Sequence, residues 1–518
     1  MTADARKRPP GAGAPRAPEP AVSAPVASGV RAGGWLGPLG IGLALVAVTR
    51  ITMWFVLPNA TEDAYITFRY ARNLAAGHGL VYNLGERVMG FTSPLWTLWC
   101  ALGIALFRDP LLWTRLSTLA ADTVTLVVLV SMLTRHASRA AAWCFAVAFG
   151  TWPFFGALAA SGMESSSMIA LCALSAWAVE RRSPLAGPLL GALVLMRPEG
   201  LLCAVPIGWR AGGRDRLLAL AIAAIGAAVM GWYFGSPIPN SVLAKAAVYG
   251  LPGPLAARHW WDWIVPPEIV EWPRQMEGIE LYQIRVVLAP AALLGLVALW
   301  RTPMAGLAVA GLAVWGGFLL TGAPFFYWYM AFPIMVTFLL ASAGLPRVLR
   351  GRGVFVALAM FFAGTWTLQP RLVYRTRGEA EQHLFASTAA QLARSARPGD
   401  SVFLEPLGFV GWANPDLRIH DEVGLVTPEV ARSRRGPGWY ADYVDREHPT
   451  WLVVRYGMLT TGASFAGNGA PFRSEDERKR TFDQYHGVAQ SSTEMDDNEM
   501  VVMRSNRSAA SRSGVETR

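Results

Sequence analysis

Long apolar runs recur along this chain, many of them close to the roughly 20 residues that a helix needs to cross the hydrocarbon core of a bilayer. Nothing else in the sequence restricts the fold as strongly, because a chain in lipid has to satisfy its backbone polar groups internally, as helices or closed barrels. The runs predict spans at about 33–57, 112–134, 140–158, 163–180, 184–197, 200–209, 216–235, 285–300, 304–321, 326–345 and 353–369. Composition agrees, with 53% hydrophobic and 16% charged residues over 518 positions. The expected fold class is mainly α: a polytopic transmembrane helix bundle of about 11 spans, with a small α/β domain at its carboxyl end.

The net charge of +10 does not call for nucleic acid. Lys and Arg gather at 135–139, Arg181/Arg182, Arg210–Arg216, Arg301 and Arg347–Arg352, between apolar runs, as expected for short cytoplasmic loops. The run 91–107 is ambiguous. If it crosses, Arg135, His136 and Arg139 fall outside; if it lies on the surface or re-enters, every basic cluster falls on one side. The second choice puts the amino end inside, and brings the polar segments 58–90, 162–164, 197–200, 236–284 and everything after 370 to the outer face. Residues 1–32 and 504–518 read as disordered tails. Between them lie a membrane module at 33–369 and an extracytoplasmic α/β domain at 370–503. Surface or re-entrant helices occupy the first outer loop, 58–111, and a second outer loop spans 236–284. Strands are expected around 401–404 and 450–454. Cys100, Cys144, Cys172 and Cys203 all sit in apolar stretches without metal or disulfide spacing. No metal site or cofactor is indicated.

The first outer loop opens Thr61-Glu62-Asp63-Ala64-Tyr65-Ile66-Thr67-Phe68-Arg69-Tyr70-Ala71-Arg72-Asn73. Its apolar spacing suggests an amphipathic helix on the membrane surface, capped by Thr61 with two acids in the first turn. First-turn acids are explained by the helix dipole alone; adjacent acids at the mouth of a span also suit a general base. Ionisable groups at membrane depth are costly and usually functional, and Glu164, Arg197 and Glu199 are the clearest cases. Arg197 and a neighbouring Glu would equally form a pair that holds a broken helix together. Lys245 reads as a phosphate ligand or as an interfacial lysine.

These elements resemble, in order, the motifs of GT-C membrane glycosyltransferases. The stretch Glu62 to Asn83 is similar to that family's first-loop signature. Gly162-Met163-Glu164, Arg197-Pro198-Glu199-Gly200, Pro239-Asn240 with Lys245, and Asp421-Glu422-Val423-Gly424-Leu425 are similar to four further motifs. The resemblance covers most of the chain, and the nearest type is the terminal arabinofuranosyltransferases of the mycobacterial cell wall. It implies a polyprenyl-phosphate-linked sugar donor, an inverting transfer, and a glycan or other envelope acceptor at the outer face of the lipid bilayer. The family's first motif carries two Asp where this chain has Glu62-Asp63, so either acid is a candidate base. Arg69, Arg72, Arg197 and Lys245 are the candidates for the donor phosphate; His78, Tyr82, Asn83, Glu164, Glu199 and Asn240 are those for the sugar or acceptor pocket. A non-catalytic membrane protein and a lipid or solute transporter are the alternatives; a transporter would be expected to show paired halves, which the sequence lacks.

Overall fold

The computed structural model describes residues 36–249, 288–321, 326–349, 351, 353, 375–460, 465, 469–493 and 496–507. The expected tail at 1–32, the span at 353–369 and most of the loop at 236–284 lie outside the described residues. So does the tail beyond 507.

The membrane module begins with α1 (Leu36–Val56), α2 (Glu62–Ala75), α3 (Pro94–Phe107) and α4 (Pro110–His136). It continues with α5 (Arg139–Thr151), α6 (Pro153–Ala160), α7 (Ser165–Glu180), α8 (Ala186–Met196) and α9 (Gly200–Ile207). Then come α10 (Gly213–Phe234), α11 (Asn240–Tyr249), α12 (Leu288–Leu299), α13 (Ala305–Thr321) and α14 (Ala331–Val348). Among the described residues four helices are long and apolar enough to cross a membrane, or five if α5 and α6 count as one bent span. The remaining apolar helices run to 10–17 residues, so length and composition alone do not reproduce a count of eleven. The chain is nonetheless a multi-pass helical membrane protein. The helix α10 has no buried residue, and Leu217, Ile225 and Trp232 are each more than half exposed. Such a surface suits a helix that faces lipid.

The single run expected at 140–158 is two helices that meet at 53°. Pro153 explains the break, since a proline inside a helix has no N–H and clashes with the preceding turn. Arg50 of α1 fills the gap, donating to the carbonyls of Phe149 (3.1 Å) and Gly150 (3.2 Å). Its charge is balanced by Asp122 of α4 at 2.8 Å, both side chains being essentially buried. This intramembrane pair holds a broken helix. The ambiguous run 91–107 forms α3, whose 14 residues reach about 21 Å, short of the hydrocarbon thickness of about 30 Å. Arg108 turns the chain in the left-handed region at φ 60°, and Asp109 caps α4 by accepting from Leu111 and Leu112 N–H at 3.0 Å.

The carboxyl-terminal domain starts with α15 (Arg375–Ser395) and holds β1 (Ser401–Leu404), α16 (Leu407–Ala413), β2 (Arg418–Asp421), α17 (Pro428–Ser433) and α18 (Trp439–Glu447). It ends with β3 (Trp451–Arg455), α19 (Tyr456–Leu459), α20 (Glu475–Asp483), β4 (Tyr485–Thr493) and β5 (Asp496–Ser505). The sheet order is β2-β1-β3-β5-β4, with β1 parallel to β2 and β3 and the last two strands antiparallel. The strand β5 runs two residues past the expected domain end at 503, since Ser505 pairs with Tyr485 and its N–H donates to Thr450 O at 3.0 Å. One face of the sheet packs Val402, Leu404 and Val453 with α15, α16 and the first loop; the other packs Phe403, Leu452 and Val454 with α18 and α20.

Candidate functional site

The helix α2 does not lie open on a membrane surface. Ala64 to Ala71 are all buried, because α2 is held between α3 below it and α16 of the carboxyl-terminal domain above. Thr61 occupies the N-cap position, but its hydroxyl donates to Ser161 O at 3.2 Å and caps nothing. What lies at this helix end decides the roles of the two acids.

Consecutive helix residues point about 100° apart, so Glu62 and Asp63 face different surroundings. Glu62 turns up to α16, where its two carboxylate oxygens accept the N–H groups of Gly408 and Phe409, the latter at 2.9 Å. Both N–H groups belong to the first turn of α16, where a carboxylate is favoured. Asp63 turns into a cleft. The cleft is lined by Asp63, Thr67, Ser93, Glu164, Ser241 and Lys245, with Phe91, Met163 and Leu425 among its apolar walls.

Lys245 of α11 donates to Asp63 Oδ2 at 3.2 Å, and its ammonium lies over the rings of Phe326 and Tyr329, at 5.0 and 5.9 Å. Burial alone would favour the neutral amine, but the Asp63 carboxylate reverses this and holds Lys245 charged well above its ordinary range. The pair keeps 27% of Asp63 and 16% of the Lys245 side chain exposed, enough to be reached from the cleft. Glu164, which also lines the cleft, is paired with Arg197, whose Nε bonds Glu199. Thus the break at 197–199 is an Arg between two carboxylates, and the arginine is 4% exposed. Ser241 adds a hydroxyl that is buried in the cleft and has no hydrogen-bond partner among the described residues.

Six of the expected ligands go to the seam between the first loop and the carboxyl-terminal domain or to solvent. Arg69 is 2% exposed; it donates to Tyr82 O (3.0 Å), Gly411 O (2.6 Å) and Leu417 O (2.7 Å), and stacks on the Tyr82 ring at 4.4 Å. Arg72 donates to Trp412 O at 2.8 Å and stacks on that residue's ring. Tyr82 donates its hydroxyl to Leu407 O. Asn83 clamps β2 at both ends of one peptide register, donating to Ile419 O (2.8 Å) and accepting from Ile419 N–H (3.0 Å). Asn240 donates to the carbonyls of Gly424 (2.7 Å) and Leu425 (2.8 Å). His78 is exposed in the turn after α2. The donors of Arg69 are therefore committed to carbonyls, whereas Arg72 donates from Nη1 to Trp412 O and keeps a buried Nη2 with no hydrogen-bond partner among the described residues.

Sequence reasoning missed the other half of the seam. At Gly408 an added Cβ would collide with the Glu62 backbone, and at Gly411 with the Tyr82 hydroxyl. Two glycines three apart on one short helix were the available signal of a close approach. The Asp421–Leu425 motif is a turn: Asp421 accepts from Leu425 N–H (2.6 Å) and Val426 N–H (2.9 Å), and Gly424 takes φ +85°. That turn supplies Leu425 to the cleft wall. Among the described residues no group of three or more His, Cys, Asp or Glu is arranged to hold a metal ion.

Residues 372–505 match a family model described as a domain of unknown function, DUF8728. No curated protein matches the chain. Among solved structures, the chain is similar to ArnT from Cupriavidus metallidurans bound to undecaprenyl phosphate, with a TM-score of 0.58 and 12% identity over 91% of this chain and 98% of that one. It is also similar to an oligosaccharyltransferase from Archaeoglobus fulgidus tethered with an acceptor peptide (TM-score 0.49, 10% identity, 88% of this chain and 72% of that one). A third likeness is to the arabinofuranosyltransferase AftD from mycobacteria, at TM-score 0.46 and 15% identity over 89% of this chain and 41% of that longer one. The fold is that of the GT-C glycosyltransferases.

Proposed function

We propose that this chain is a membrane glycosyltransferase that moves a sugar from a polyprenyl-phosphate donor to a hydroxyl of an envelope glycan, lipid or protein acceptor. One observation carries the reading: Asp63, Glu164 and Lys245, drawn from three separate segments, line one cleft at the ends of the apolar helices in a GT-C fold. The undecaprenyl phosphate bound to ArnT supports a polyprenyl-phosphate donor here. The resemblance of the first-loop motif to terminal arabinofuranosyltransferases makes arabinofuranose the sugar to test first.

In the proposed step the donor enters sideways from the outer leaflet, and its phosphate takes Lys245 as counter-ion, aided by the Ser241 hydroxyl. That contact draws Lys245 away from Asp63 and leaves the carboxylate free to accept a proton. Asp63 takes the proton of the acceptor hydroxyl as its oxygen bonds to the anomeric carbon. The bond from that carbon to the phosphate oxygen breaks on the opposite face, its electron pair stays on the phosphate, and the configuration inverts. Lys245 stabilises the charge gained by the leaving phosphate, an effect larger in the transition state than in the ground state. Glu164, oriented by Arg197, lines the sugar side of the cleft. Glu62 acts as a positioning residue: bonded to α16, it sets the first turn of α2 and with it the direction of Asp63. The amino end is cytoplasmic and the carboxyl-terminal domain external, as the one-sided basic clusters require.

The test is transfer by purified protein in nanodiscs. Labelled polyprenyl-phosphate pentoses and hexoses are offered with extracted envelope acceptors. Transfer that disappears in Asp63→Asn, with thermal unfolding unchanged, supports the reading. An Asp63→Asn protein that transfers at the wild-type rate refutes it.

A further inference from the structure

The carboxyl-terminal domain carries a second polar cluster that the proposed chemistry leaves unused. In parallel sheets, ligands collect beyond the carboxyl ends of strands where neighbouring connections leave toward opposite faces. The strand β1 leads into α16 on one face of this sheet, while the chain after β2 and β3 leads to α18 and α20 on the other. Leu404 of β1 pairs with Asp421 of β2 and with Val453 of β3. Glu405 and Glu422 are therefore neighbours just past their strands' paired ends, and Arg455 lies beside them at the end of β3. Glu405 and Arg455 form an ion pair with 38% and 39% of their side chains exposed, at the rim. Glu422 lies deeper, 7% exposed, with Arg434 of the following turn as its nearest balancing charge beside Arg455.

The interior of this cluster is short of partners. The Glu422 carboxyl has Arg434 and Arg455 as its balancing charges. Arg434 Nη1 and the fully buried Tyr440 hydroxyl are without partners among the described residues, and both interact electrostatically with Glu422. A buried polar group left unsatisfied costs about 1–3 kcal/mol, and a native domain that keeps two beside a buried carboxyl has a reason to do so. Two acids facing two arginines leave the cluster without a strong preference for either sign of charge. Burial and the neighbouring Glu405 carboxylate raise the Glu422 carboxyl to about 8, so at neutral pH it also has a proton to donate. Vicinal sugar hydroxyls, each both donor and acceptor, fit a set of carboxyl, guanidinium and phenol groups.

The cluster also adjoins the helix that carries Lys245 to the cleft. Tyr249 and Lys245 are one turn apart on α11; Tyr249 interacts electrostatically with Asp63 and Lys245 on one side and with Glu405 on the other. Arg435, next to Arg434, donates to Ala246 O of the same helix at 3.4 Å. We infer that the cluster of Glu405, Glu422, Arg434 and Arg455 at the strand ends binds a neutral, hydroxyl-rich saccharide, the part of the acceptor that lies behind its reacting end. The inference rests on the glycosyltransferase reading in naming that saccharide an acceptor.

The experiment uses the full chain in nanodiscs and a panel of neutral methyl glycosides and disaccharides of pentoses and hexoses, titrated by saturation-transfer NMR. Inorganic phosphate serves as an anionic control. The wild type and Asp63→Asn should bind a member of the panel equally. Glu422→Leu removes a carboxyl whose burial is costly, so it should leave thermal unfolding unchanged or raised while weakening saccharide binding tenfold or more. Glu405→Gln, at the half-exposed rim, should weaken binding severalfold and decides the matter if the leucine variant misfolds. Wild-type saccharide affinity in the folded variants, or binding of phosphate alone, overturns the inference. The two readings fail separately. Saccharide binding that depends on Glu422 in a protein whose Asp63→Asn form still transfers removes the proposed reaction and keeps the site. Transfer that depends on Asp63 with saccharide binding indifferent to Glu422 removes the site and keeps the reaction.

Discussion

Exchanging each of the two adjacent acids for its amide should give opposite phenotypes. Glu62 accepts two backbone N–H groups at the start of α16. Hydrogen bonds to a charged group contribute about 1.5–3 kcal/mol each, and the helix end adds about 0.3–1 kcal/mol for the charge. Glu62→Gln keeps one acceptor oxygen, turns an amide donor toward the other N–H and removes the charge. The docking of the carboxyl-terminal domain should then weaken by about 2–4 kcal/mol, lowering its unfolding temperature by roughly 5–10 °C. Asp63 is partly exposed and paired with Lys245, a contact of about 1 kcal/mol or less to stability. Asp63→Asn should therefore unfold within a few degrees of wild type, yet lose about 10²–10⁴ in rate, the usual contribution of a general base. The assay is donor turnover per folded protein beside a thermal-unfolding curve for each variant. A Glu62→Gln protein that is stable and inactive, next to an active Asp63→Asn, would refute the division of roles.

Three further outcomes follow from the same contacts. Gly411→Ala places a methyl against the Tyr82 hydroxyl and should destabilise the seam by about 1–3 kcal/mol, read as earlier proteolysis between the membrane module and the carboxyl-terminal domain. Lys245→Ala should weaken inhibition by free polyprenyl phosphate and slow turnover together, whereas Arg197→Lys, which disturbs an arginine already held by Glu164 and Glu199, should mainly lower thermal stability. Glu422, raised to about 8 by burial and Glu405, holds its proton more tightly folded than unfolded, so its contribution to stability is full below the ordinary carboxyl range and is lost as pH rises through about 8. Differential scanning should accordingly find Glu422→Gln close to wild type at pH 5 and more stable than wild type at pH 9.

What could be read from the sequence is what local chemistry controls. Spans such as α1 and α10 were legible because an uninterrupted apolar run of that length has one stable home. The strands at 401–404 and 451–455 were legible from β-branched and aromatic runs bounded by turns. The bend between α5 and α6 was missed although Pro153 marks it, because the apolar run continues through the proline and Arg50 repairs the break from another helix. The site was legible as a set of motifs and illegible as an arrangement. Glu62 and Asp63 are equivalent on a helix end until α16 arrives, 346 residues further along the chain. Arg69, Arg72, Asn83 and Asn240 looked like ligands because charged and amide side chains in a polar loop usually face solvent or substrate. Most of their partners are backbone carbonyls and an amide of the distant carboxyl-terminal domain, and a backbone group leaves no mark in the sequence of its side chains.

The account's central claim is that a polyprenyl phosphate seats its phosphate in the cleft of Asp63, Glu164 and Lys245. The most direct measurement is an experimental structure of the full chain in nanodiscs with undecaprenyl phosphate, which is independent of the unknown sugar. The account predicts phosphate density within hydrogen-bond reach of Lys245 Nζ, the Asp63–Lys245 contact lengthened beyond its 3.2 Å, and the lipid tail leaving between apolar helices. Phosphate density elsewhere, with the Asp63–Lys245 pair intact, would contradict it.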